Sequence, residues 1–437
     1  MITSPVFSGK KYAVLGLARS GLATVGALLA SGAEVVAWDD RDAAREALAA
    51  AHPGEAGLSF ADPLVIDLAG FAGVVVSPGV PIIRHPIRAR AAQANVPLIG
   101  DIELFAQARA SLPGHKIVGI TGTNGKSTTT ALIHHILKAA GIPTLMGGNI
   151  GLPILSRDPL PAGGVYVLEL SSYQIDLTYS LACDVAVLLN VTPDHLDRYP
   201  DFEGYAASKT RLFGMQQNWG YALISTDDET SAAIAVMVQR LGRGQLRQFS
   251  RSMVGNQSGW PALQGPHNAQ NVVAAVNAAL LLGVPGKVID EAVATYPGLP
   301  HRMERVAEKG GVLFVNDSKA TNATSTAPAL AAYPKIHWIL GGLPKADDLD
   351  PCVPYFDHVA AGYTIGQAGP MFARILAAAG RPVTESGTLD QAVRDAAAAA
   401  RPGEVVMLSP ACASFDQFRD FEARGDAFRA AVEALPS

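Results

Sequence analysis

The stretch Lys116-Ile-Val-Gly-Ile-Thr-Gly-Thr-Asn-Gly-Lys-Ser-Thr-Thr129 decides the fold of this chain. Its apolar start, Lys116 to Ile120, predicts a buried strand, and a glycine-rich loop follows it. A helical pattern then runs to Gly141, where a helix is expected to end. A strand, a glycine-rich loop and a helix in this order are typical of a phosphate-binding loop.

The loop carries the residue types that bind a nucleotide triphosphate. Gly122 and Gly125 let backbone N–H groups turn toward an anion, and the helix N-terminus adds a partial positive charge. Lys126 can reach the β and γ phosphates, and Ser127 can hold Mg²⁺. The general motif asks for glycine at position 120, where this chain has Ile120. ATP is the predicted ligand, and the alternative is a glycine-rich turn that happens to precede Lys-Ser.

Outward from this loop, short aliphatic runs alternate with Ala- and Leu-rich helical patterns, which predicts βαβ units and parallel sheets. Three such series occur, separated by Pro/Gly breaks near 112–114 and 296–300. We therefore expect an α/β protein of three domains: 1–106, 107–299 and 300–437. The outer two are predicted to be Rossmann-like and the central one ATPase-like.

The composition excludes several classes of protein. The 437 residues are 49% hydrophobic and 17% charged, which is too apolar for a disordered chain. The net charge of −5 lacks the basic excess of a nucleic-acid binder, and three widely spaced cysteines fit no disulfide framework. No apolar run reaches the ~18 residues of a membrane span. We expect a cytoplasmic protein that binds neither nucleic acid nor membrane.

Two further residues point to the edge of the central sheet that carries the loop. Glu169 ends the apolar strand Val165 to Leu168, and His195 follows the strand Val185 to Leu189. Ligands bind at the carboxyl ends of parallel strands, and a carboxylate there needs a cation nearby. Either residue alone is more often a structural group, but their shared placement at strand ends favours a Mg²⁺ cluster beside the γ phosphate.

The first series contains an incomplete dinucleotide-binding motif. Gly16-Leu-Ala-Arg-Ser-Gly21 follows a predicted strand and opens a helix, and Asp39 lies beyond the next strand. Ala18 replaces the glycine that lets a pyrophosphate approach the backbone. The motif is weak for NAD, but it still allows a diphosphate at the helix N-terminus.

Together these residues carry a family resemblance. Gly122-Thr-Asn-Gly-Lys-Ser127 with Glu169, Thr192-Pro-Asp-His195 and His301-Arg-Met-Glu304 resembles the Mur ligases and their folylpolyglutamate synthetase relatives. That family lacks the first glycine of the general motif, which accounts for Ile120. The segments 169–174, 316–322 and 409–418 resemble the member that joins D-glutamate to UDP-N-acetylmuramoyl-L-alanine. The resemblance implies ATP-dependent amide formation through an acyl phosphate, in peptidoglycan precursor synthesis.

The resemblance also implies a set of nucleotide and metal residues. The ATP-binding residues it implies are Gly122, Thr123, Asn124, Gly125, Lys126, Ser127, Thr128, Asn268, Asn271, Arg302 and Asp317. The implied metal ligands are Ser127, Glu169, His195 and Lys209, and Lys126, Glu169, His195 and Lys209 are the implied catalytic residues. Lys209 matches a lysine that the family carbamylates, so that it binds a second Mg²⁺. Its sequence context alone predicts an exposed helical lysine, and Ser208 stands where the family usually has alanine.

The two other substrates are assigned by the same resemblance. It places the UDP-substrate at Leu17, Arg19, Ser20, Asp39, Arg41, Ser77, Gly79 and Asn149. It places D-glutamate at Lys319, Thr321, Lys345, Ser414 and Phe421, where cations and hydroxyls would meet the two carboxylates. Without the resemblance, 409–418 would be a strand end and a turn around a buried Cys412.

Three other functions remain open from the sequence. A folylpolyglutamate synthetase shares the loop and the amide-forming step, but the Rossmann-like first domain and Asn316-Asp-Ser-Lys319 argue against it. An NAD-dependent dehydrogenase would leave the phosphate loop without a role. A nucleotide-sensing module would bind ATP without turnover. We expect a monomer that acts on small molecules.

Overall fold

The computed structural model describes residues 1–194 and 198–436 and contains three α/β sheets in succession. This architecture confirms the predicted fold class. Backbone contacts divide the chain into two compact units, Met1–Ser250 with Val273–Ala292, and Arg251–Val272 with Val293–Ser437. The first unit holds two sheets and the second unit holds the third. The domain limits 1–106, 107–299 and 300–437 remain a prediction.

The first sheet has five parallel strands in the order β3-β2-β1-β4-β5. Its order reverses between β1 and β4, which opens a crevice beyond their carboxyl ends. The strands are β1 Lys11–Leu15, β2 Glu34–Trp38, β3 Leu58–Phe60, β4 Gly73–Val76 and β5 Leu98–Ile99. The helices are α1 Arg19–Ala30, α2 Asp42–Ala51, α3 Ile87–Gln93 and α4 Asp101–Ala108.

The second sheet has six parallel strands in the order β11-β10-β9-β6-β8-β7. β6 is central and fully flanked, so the loop after it leaves the middle of the sheet. The strands are β6 His115–Thr121, β7 Thr144–Gly148, β8 Gly164–Glu169, β9 Val185–Leu188, β10 Tyr221–Ser225 and β11 Gln245–Phe249. The helices are α5 Lys126–Ala139, α6 Ser172–Asp176, α7 Phe202–Gly214 and α8 Glu229–Leu241.

Two helices, α9 Pro266–Leu281 and α10 Gly286–Thr295, precede the third sheet. That sheet has the order β12-β13-β17-β14-β15-β16, in which β12 is antiparallel to β13 and the others are parallel. Its strands are β12 Glu304–Lys309, β13 Val312–Asn316, β14 Ile336–Gly341, β15 Val359–Ile365, β16 Val383–Gly387 and β17 Val405–Leu408. Its helices are α11 Ala323–Leu330, α12 Gly369–Ala378, α13 Leu389–Ala399 and α14 Phe421–Glu433.

The central strands formed where the sequence predicted them, because each is a near-continuous apolar run that is buried on both faces. Every residue of β4, β8, β9, β14 and β17 is buried. β11 differs from these strands, because it is a polar strand at one edge of its sheet. Among the residues that the structure describes, every helix is too short or too polar to span a membrane.

Candidate functional site

The phosphate loop connects β6 to α5 and is held in shape by its own side chains. Lys126, the first residue of α5, donates from Nζ to the carbonyl oxygens of Gly122 at 2.9 Å and Thr123 at 2.8 Å. Asn190, which follows β9, accepts at 2.8 Å from the backbone N–H of Asn124. The loop is therefore fixed from within and from the neighbouring strand. Thr128 lies in the first turn of α5.

Two predicted residues, Ser127 and Asn149, contact a third, Glu169, which is the last residue of β8. Ser127 donates from its hydroxyl to Oε2 of Glu169 at 2.5 Å, and Asn149 donates from Nδ2 to Oε1 at 2.9 Å. Glu169 is only 2% exposed. These side chains come from three different strand ends, as the parallel sheet predicts. They place a buried carboxylate and a hydroxyl directly beside the phosphate loop.

The backbone between β7 and Asn149 lies unusually close to β8. Gly148 has φ +84°, and a Cβ built there would lie 2.1 Å from the carbonyl oxygen of Glu169. The N–H of Asn149 donates to that same oxygen at 2.8 Å. Only glycine combines this φ with this approach, so the residue at 148 determines where Asn149 meets Glu169.

The structure corrects the sequence-based expectation that Lys209 is exposed. Lys209 lies on α7 and is 1% exposed. Its Nζ donates to the carbonyl oxygen of Gly122 at 2.9 Å and lies 4.5 Å from the centre of the Tyr205 ring. Burial, reinforced by the charge of Lys126, lowers the pKa of Lys209 well below its ordinary value. A buried lysine of this kind is readily neutral and nucleophilic.

The predicted His195 lies outside the described residues. Within 1–194 and 198–436, no three His, Cys, Asp or Glu side chains are grouped so that they could hold a metal. Glu169 and Ser127 still present oxygen donors of the kind that Mg²⁺ prefers, and Mg²⁺ commonly uses only one or two protein ligands together with water and phosphate.

In the first sheet, the loop after β1 closes on Asp39 at the end of β2. Oδ2 of Asp39 accepts from the N–H of Leu17 at 2.8 Å, and Oδ1 accepts from Nε of Arg41 at 2.9 Å. The hydrogen bond from Arg41 lowers the pKa of Asp39, so this carboxylate stays ionised. Three residues of the predicted UDP site are thus brought together.

The same loop is tied to β4 and to α1. Ser77 donates from its hydroxyl to the carbonyl oxygen of Gly16 at 2.7 Å. A Cβ at Gly21 would lie 1.9 Å from that oxygen, so glycine is required where α1 crosses the loop. Arg19 and Ser20 occupy the first turn of α1, and Gly79 follows β4. Apart from Asn149, the residues predicted for UDP therefore lie beyond the carboxyl ends of β1, β2 and β4.

Several hydrogen bonds join the segments around the first sheet to those around the second, and one of them comes from the predicted UDP loop. The guanidinium of Arg19 donates to the carbonyl oxygen of Gly151 at 2.9 Å, two residues beyond Asn149. The segment 147–152 thereby touches both the predicted UDP loop and the Glu169 site. Sequence reasoning did not foresee this bond, because Arg19 and Gly151 are far apart along the chain.

The second unit has its own group of predicted residues. Asp317, after β13, accepts from the Ser409 hydroxyl at 2.8 Å and from the N–H of Met303 at 3.2 Å. Burial raises the pKa of Asp317 to about 7. Arg302 precedes Met303. In the first half of α9, Asn271 donates to Oδ1 of Asn268 at 3.0 Å.

The residues predicted for D-glutamate gather beyond β13, β14 and β17. Lys345 donates from Nζ to the Thr321 hydroxyl at 3.3 Å, and Nζ of Lys319 lies 3.8 Å from the centre of the Phe421 ring. Ser414 is buried in the turn after β17. Two cations and two hydroxyls at one sheet edge suit a ligand with two carboxylates.

Arg424 is a residue of this region that sequence reasoning missed. It is 1% exposed on α14, and it donates to the carbonyl oxygens of Ser318 at 2.8 Å, Cys412 at 3.1 Å and Ala413 at 3.3 Å. It therefore joins the segment after β13 to the segment after β17. No local sequence signal separates this arginine from the exposed Arg419 nearby. Asn190 beside the phosphate loop was missed for the same reason.

The fold and these sites define a class: a multidomain α/β enzyme with a phosphate loop in its central sheet and cationic loops at the edge of its last sheet. Family models agree with this architecture. Residues 120–254 match the Mur ligase middle domain, and residues 301–412 match the Mur ligase glutamate ligase domain.

Curated relatives match along the whole chain. A UDP-N-acetylmuramoylalanine--D-glutamate ligase of Novosphingobium aromaticivorans is 64% identical, covering 100% of this chain and 97% of the relative. The corresponding ligase of Zymomonas mobilis subsp. mobilis is 60% identical, covering 100% of each. The chain belongs to the Mur ligase family.

Solved structures share the fold at low identity. The MurF ligase of Thermotoga maritima in complex with ADP has a TM-score of 0.62 at 15% identity, covering 98% of this chain and 99% of that one. FolC of E. coli, in complex with DHPP and ADP, has a TM-score of 0.55 at 18% identity, covering 77% and 93%. At such identities the likeness concerns the fold alone.

Proposed function

We propose that this chain joins D-glutamate to UDP-N-acetylmuramoyl-L-alanine with consumption of ATP, a step of peptidoglycan precursor synthesis. The observation that carries this proposal is the full-length identity of 60 to 64% with relatives that bear the name of that ligase. The geometry agrees with it, because the phosphate loop, the buried Glu169 and the cationic group of the second unit supply what three anionic reactants need.

The chemistry proceeds in two balanced steps. A carboxylate oxygen of the UDP-substrate attacks the γ phosphorus of ATP. The bond between the γ phosphorus and the β–γ bridging oxygen breaks, so that ADP leaves and an acyl phosphate forms. The neutral amine of D-glutamate then attacks the acyl carbon. The amine loses a proton, and inorganic phosphate leaves as the amide forms. Positioning and charge stabilisation are the protein's main contributions to such a reaction.

We assign the nucleotide to the phosphate loop and to residues of the second unit. The backbone from Gly122 to Thr128 would cradle the phosphates, and Lys126 would exchange its bonds to the loop carbonyls for bonds to phosphate oxygens. Asn268, Asn271, Arg302 and Asp317 are our proposed contacts for the rest of ATP. The oxygen donors Ser127 and Glu169, with His195, would hold Mg²⁺, which neutralises phosphate charge when bound.

Lys209 fits the predicted carbamate better than its sequence suggested. Carbamylation requires an unprotonated amine, and burial lowers the pKa of Lys209 in the direction that favours one. The carbamate forms when the amine nitrogen attacks the carbon of CO₂ and loses a proton. The product is an anion beside Lys126 and the loop, where it would ligate a second Mg²⁺.

The other substrates are assigned to the two remaining groups. The UDP moiety would bind the crevice formed by Leu17, Arg19, Ser20, Asp39, Arg41, Ser77 and Gly79, and Asn149 would contact the sugar. D-glutamate would bind Lys319, Thr321, Lys345, Ser414 and the backbone of Phe421. We expect a monomer that works in the cytoplasm, where ATP and UDP-linked precursors are found, and three domains with the limits 1–106, 107–299 and 300–437.

The alternative functions are less favoured. The folylpolyglutamate synthetase alternative rests on the shared phosphate loop and amide-forming step, whereas the full-length relatives at 60 to 64% identity carry the D-glutamate ligase name. A dehydrogenase or an ATP sensor would give no role to the cationic group beside Lys345.

Phosphate release from ATP tests the proposal. The enzyme is incubated with Mg²⁺ and UDP-N-acetylmuramoyl-L-alanine, and D-glutamate, L-glutamate or no amino acid is added in parallel. A further arm replaces the UDP-substrate by a reduced folate with L-glutamate. Release only with the UDP-substrate and D-glutamate supports the proposal. Release with folate, or ATP binding without release in any mixture, contradicts it.

A further inference from the structure

A pocket of about 670 Å³ lies away from the site described above, on the face of the edge strand β7. It is formed by the second half of α5, by β7 itself and by the segment that follows β7. We call it the basic pocket and define it by six of its lining residues: His134, Lys138, Ile142, Leu145, Leu152 and Arg157. Its volume is in the range of pockets that bind drug-sized ligands.

The charges of the basic pocket have one sign. His134, Lys138 and Arg157 line it, and none of its described lining residues is acidic. The neighbouring Asp158 lies outside the lining; it directs its carboxylate to the amino group of Met1 and interacts more weakly with the charge of Arg157. The pKa of His134 is lowered first by burial and then by the nearby charges of Lys138, His135 and Arg157, so His134 is neutral at neutral pH and the positive charge comes from Lys138 and Arg157. Lys138 lies in the last turn of α5, where the helix dipole stabilises a positive charge. The helix dipole gives no such reason for the charge of Arg157, which lies outside α5.

The rest of the wall is apolar. Ile142 and Leu145 are partly exposed there, and Leu152 is 50% exposed. Apolar surface beside cations that have no acidic partner among the lining residues is complementary to a molecule that carries an anionic group on an apolar body. We propose that the basic pocket binds a small amphipathic anion, a phosphate, sulfonate or carboxylate attached to an apolar or aromatic group, and that this ligand adjusts the neighbouring substrate sites.

The route to those sites is short. Gly151 and Leu152 line the basic pocket, and the carbonyl oxygen of Gly151 accepts the hydrogen bond from Arg19. Two residues earlier in the same segment, Asn149 donates to Glu169. A ligand that fixes this segment would therefore alter the positions of a UDP-site residue and of a residue beside the phosphate loop. This second part rests on the proposed function.

Fluorescence of 1-anilinonaphthalene-8-sulfonate tests binding on the full chain. N-phenyl-1-naphthylamine, which lacks the sulfonate, is the uncharged comparison. We expect the sulfonate to bind, and the double variant Lys138→Gln, Arg157→Gln to weaken it by about tenfold or more, since two charged contacts are lost. Lys287→Gln, which removes an exposed lysine from α10, is the matched control and should leave binding unchanged.

Leu152→Asp is a second variant, which places a carboxylate at the pocket without touching the cations, and it should weaken the sulfonate as well. All variants are first compared by thermal melting. Equal affinity for the charged and uncharged probes, or sulfonate binding that none of the pocket variants weakens, would overturn the proposal. So would binding to vesicles of anionic lipid without binding of the soluble probe.

The coupling is measured separately, as the KM for UDP-N-acetylmuramoyl-L-alanine with and without saturating sulfonate. We expect a change of about fivefold or more in the wild type and none in the double variant. An unchanged KM while the probe is bound would refute the coupling. If the chain shows no ligation at all, the proposed function fails, and the fluorescence experiment still decides whether the pocket binds an amphipathic anion.

Discussion

Gly148→Ala is predicted to damage the reaction site more than it damages the fold. At φ +84°, an alanine costs about 1–2 kcal/mol in backbone strain. Its Cβ would lie 2.1 Å from the carbonyl oxygen of Glu169, whereas real Cβ contacts need at least 3.0 Å. Either the β7 end or Glu169 must move by that difference. A displacement of about 1 Å at a reacting site can cost roughly 100-fold, so we expect kcat/KM to fall by about that factor.

Gly163→Ala is the matched control for this variant. Gly163 has φ +85°, and no described atom lies within 4 Å of a Cβ built there. It therefore carries the backbone strain without the collision. Both variants are compared by thermal melting and by phosphate release with all three substrates. We expect similar melting temperatures and a large difference in kcat/KM. If Gly148→Ala kept the activity of Gly163→Ala, the claim that position 148 sets the Asn149–Glu169 contact would be wrong.

Three other variants test single residues. Lys209→Met should lower kcat by about 100-fold or more without lowering the melting temperature, because it replaces a buried amine by an apolar chain of similar length; substantial activity in this variant would remove Lys209 from the mechanism. Asp317 has a pKa raised from 3.8 to about 7, so the folded state binds the extra proton and stability falls as the pH rises between these values. Asp317→Asn should flatten that dependence in melting curves, and an unchanged slope would contradict the assignment. Arg424→Met should destabilise the second unit by on the order of 3 kcal/mol in denaturant titration, because buried carbonyl groups lose their donor, while the exposed control Arg419→Met should not; equal effects would contradict the joining role of Arg424.

The sequence predicted the strands that are buried on both faces, but it did not predict the edge strand β11. Val165 to Leu168 is continuously apolar because β8 lies between two other strands, and such a run is visible in the sequence. β11, with the sequence Gln-Leu-Arg-Gln-Phe, is exposed at one edge, so no apolar pattern marks it. Its pairing with β10 depends on tertiary contacts that propensity does not contain.

The candidate site was predictable where a reactive side chain directly follows a predicted strand. Glu169 and Ser127 meet because both sit at carboxyl ends of neighbouring strands. The burial of Lys209 was not predictable, since only the packing of α7 against the phosphate loop places Nζ at Gly122. Arg424 and Asn190 were missed because each forms hydrogen bonds with backbone groups that are distant in the sequence. The basic pocket likewise depends on Arg157 folding back beside α5.

The most direct test of the central claim follows oxygen atoms through one turnover. The carboxylate of UDP-N-acetylmuramoyl-L-alanine is labelled with ¹⁸O and incubated with the enzyme, Mg²⁺, ATP and D-glutamate, and the released phosphate is analysed by mass spectrometry. Ligation through an acyl phosphate predicts that one labelled oxygen passes from the carboxylate to inorganic phosphate and that ADP is the nucleotide product. Unlabelled phosphate accompanying amide formation would contradict this account.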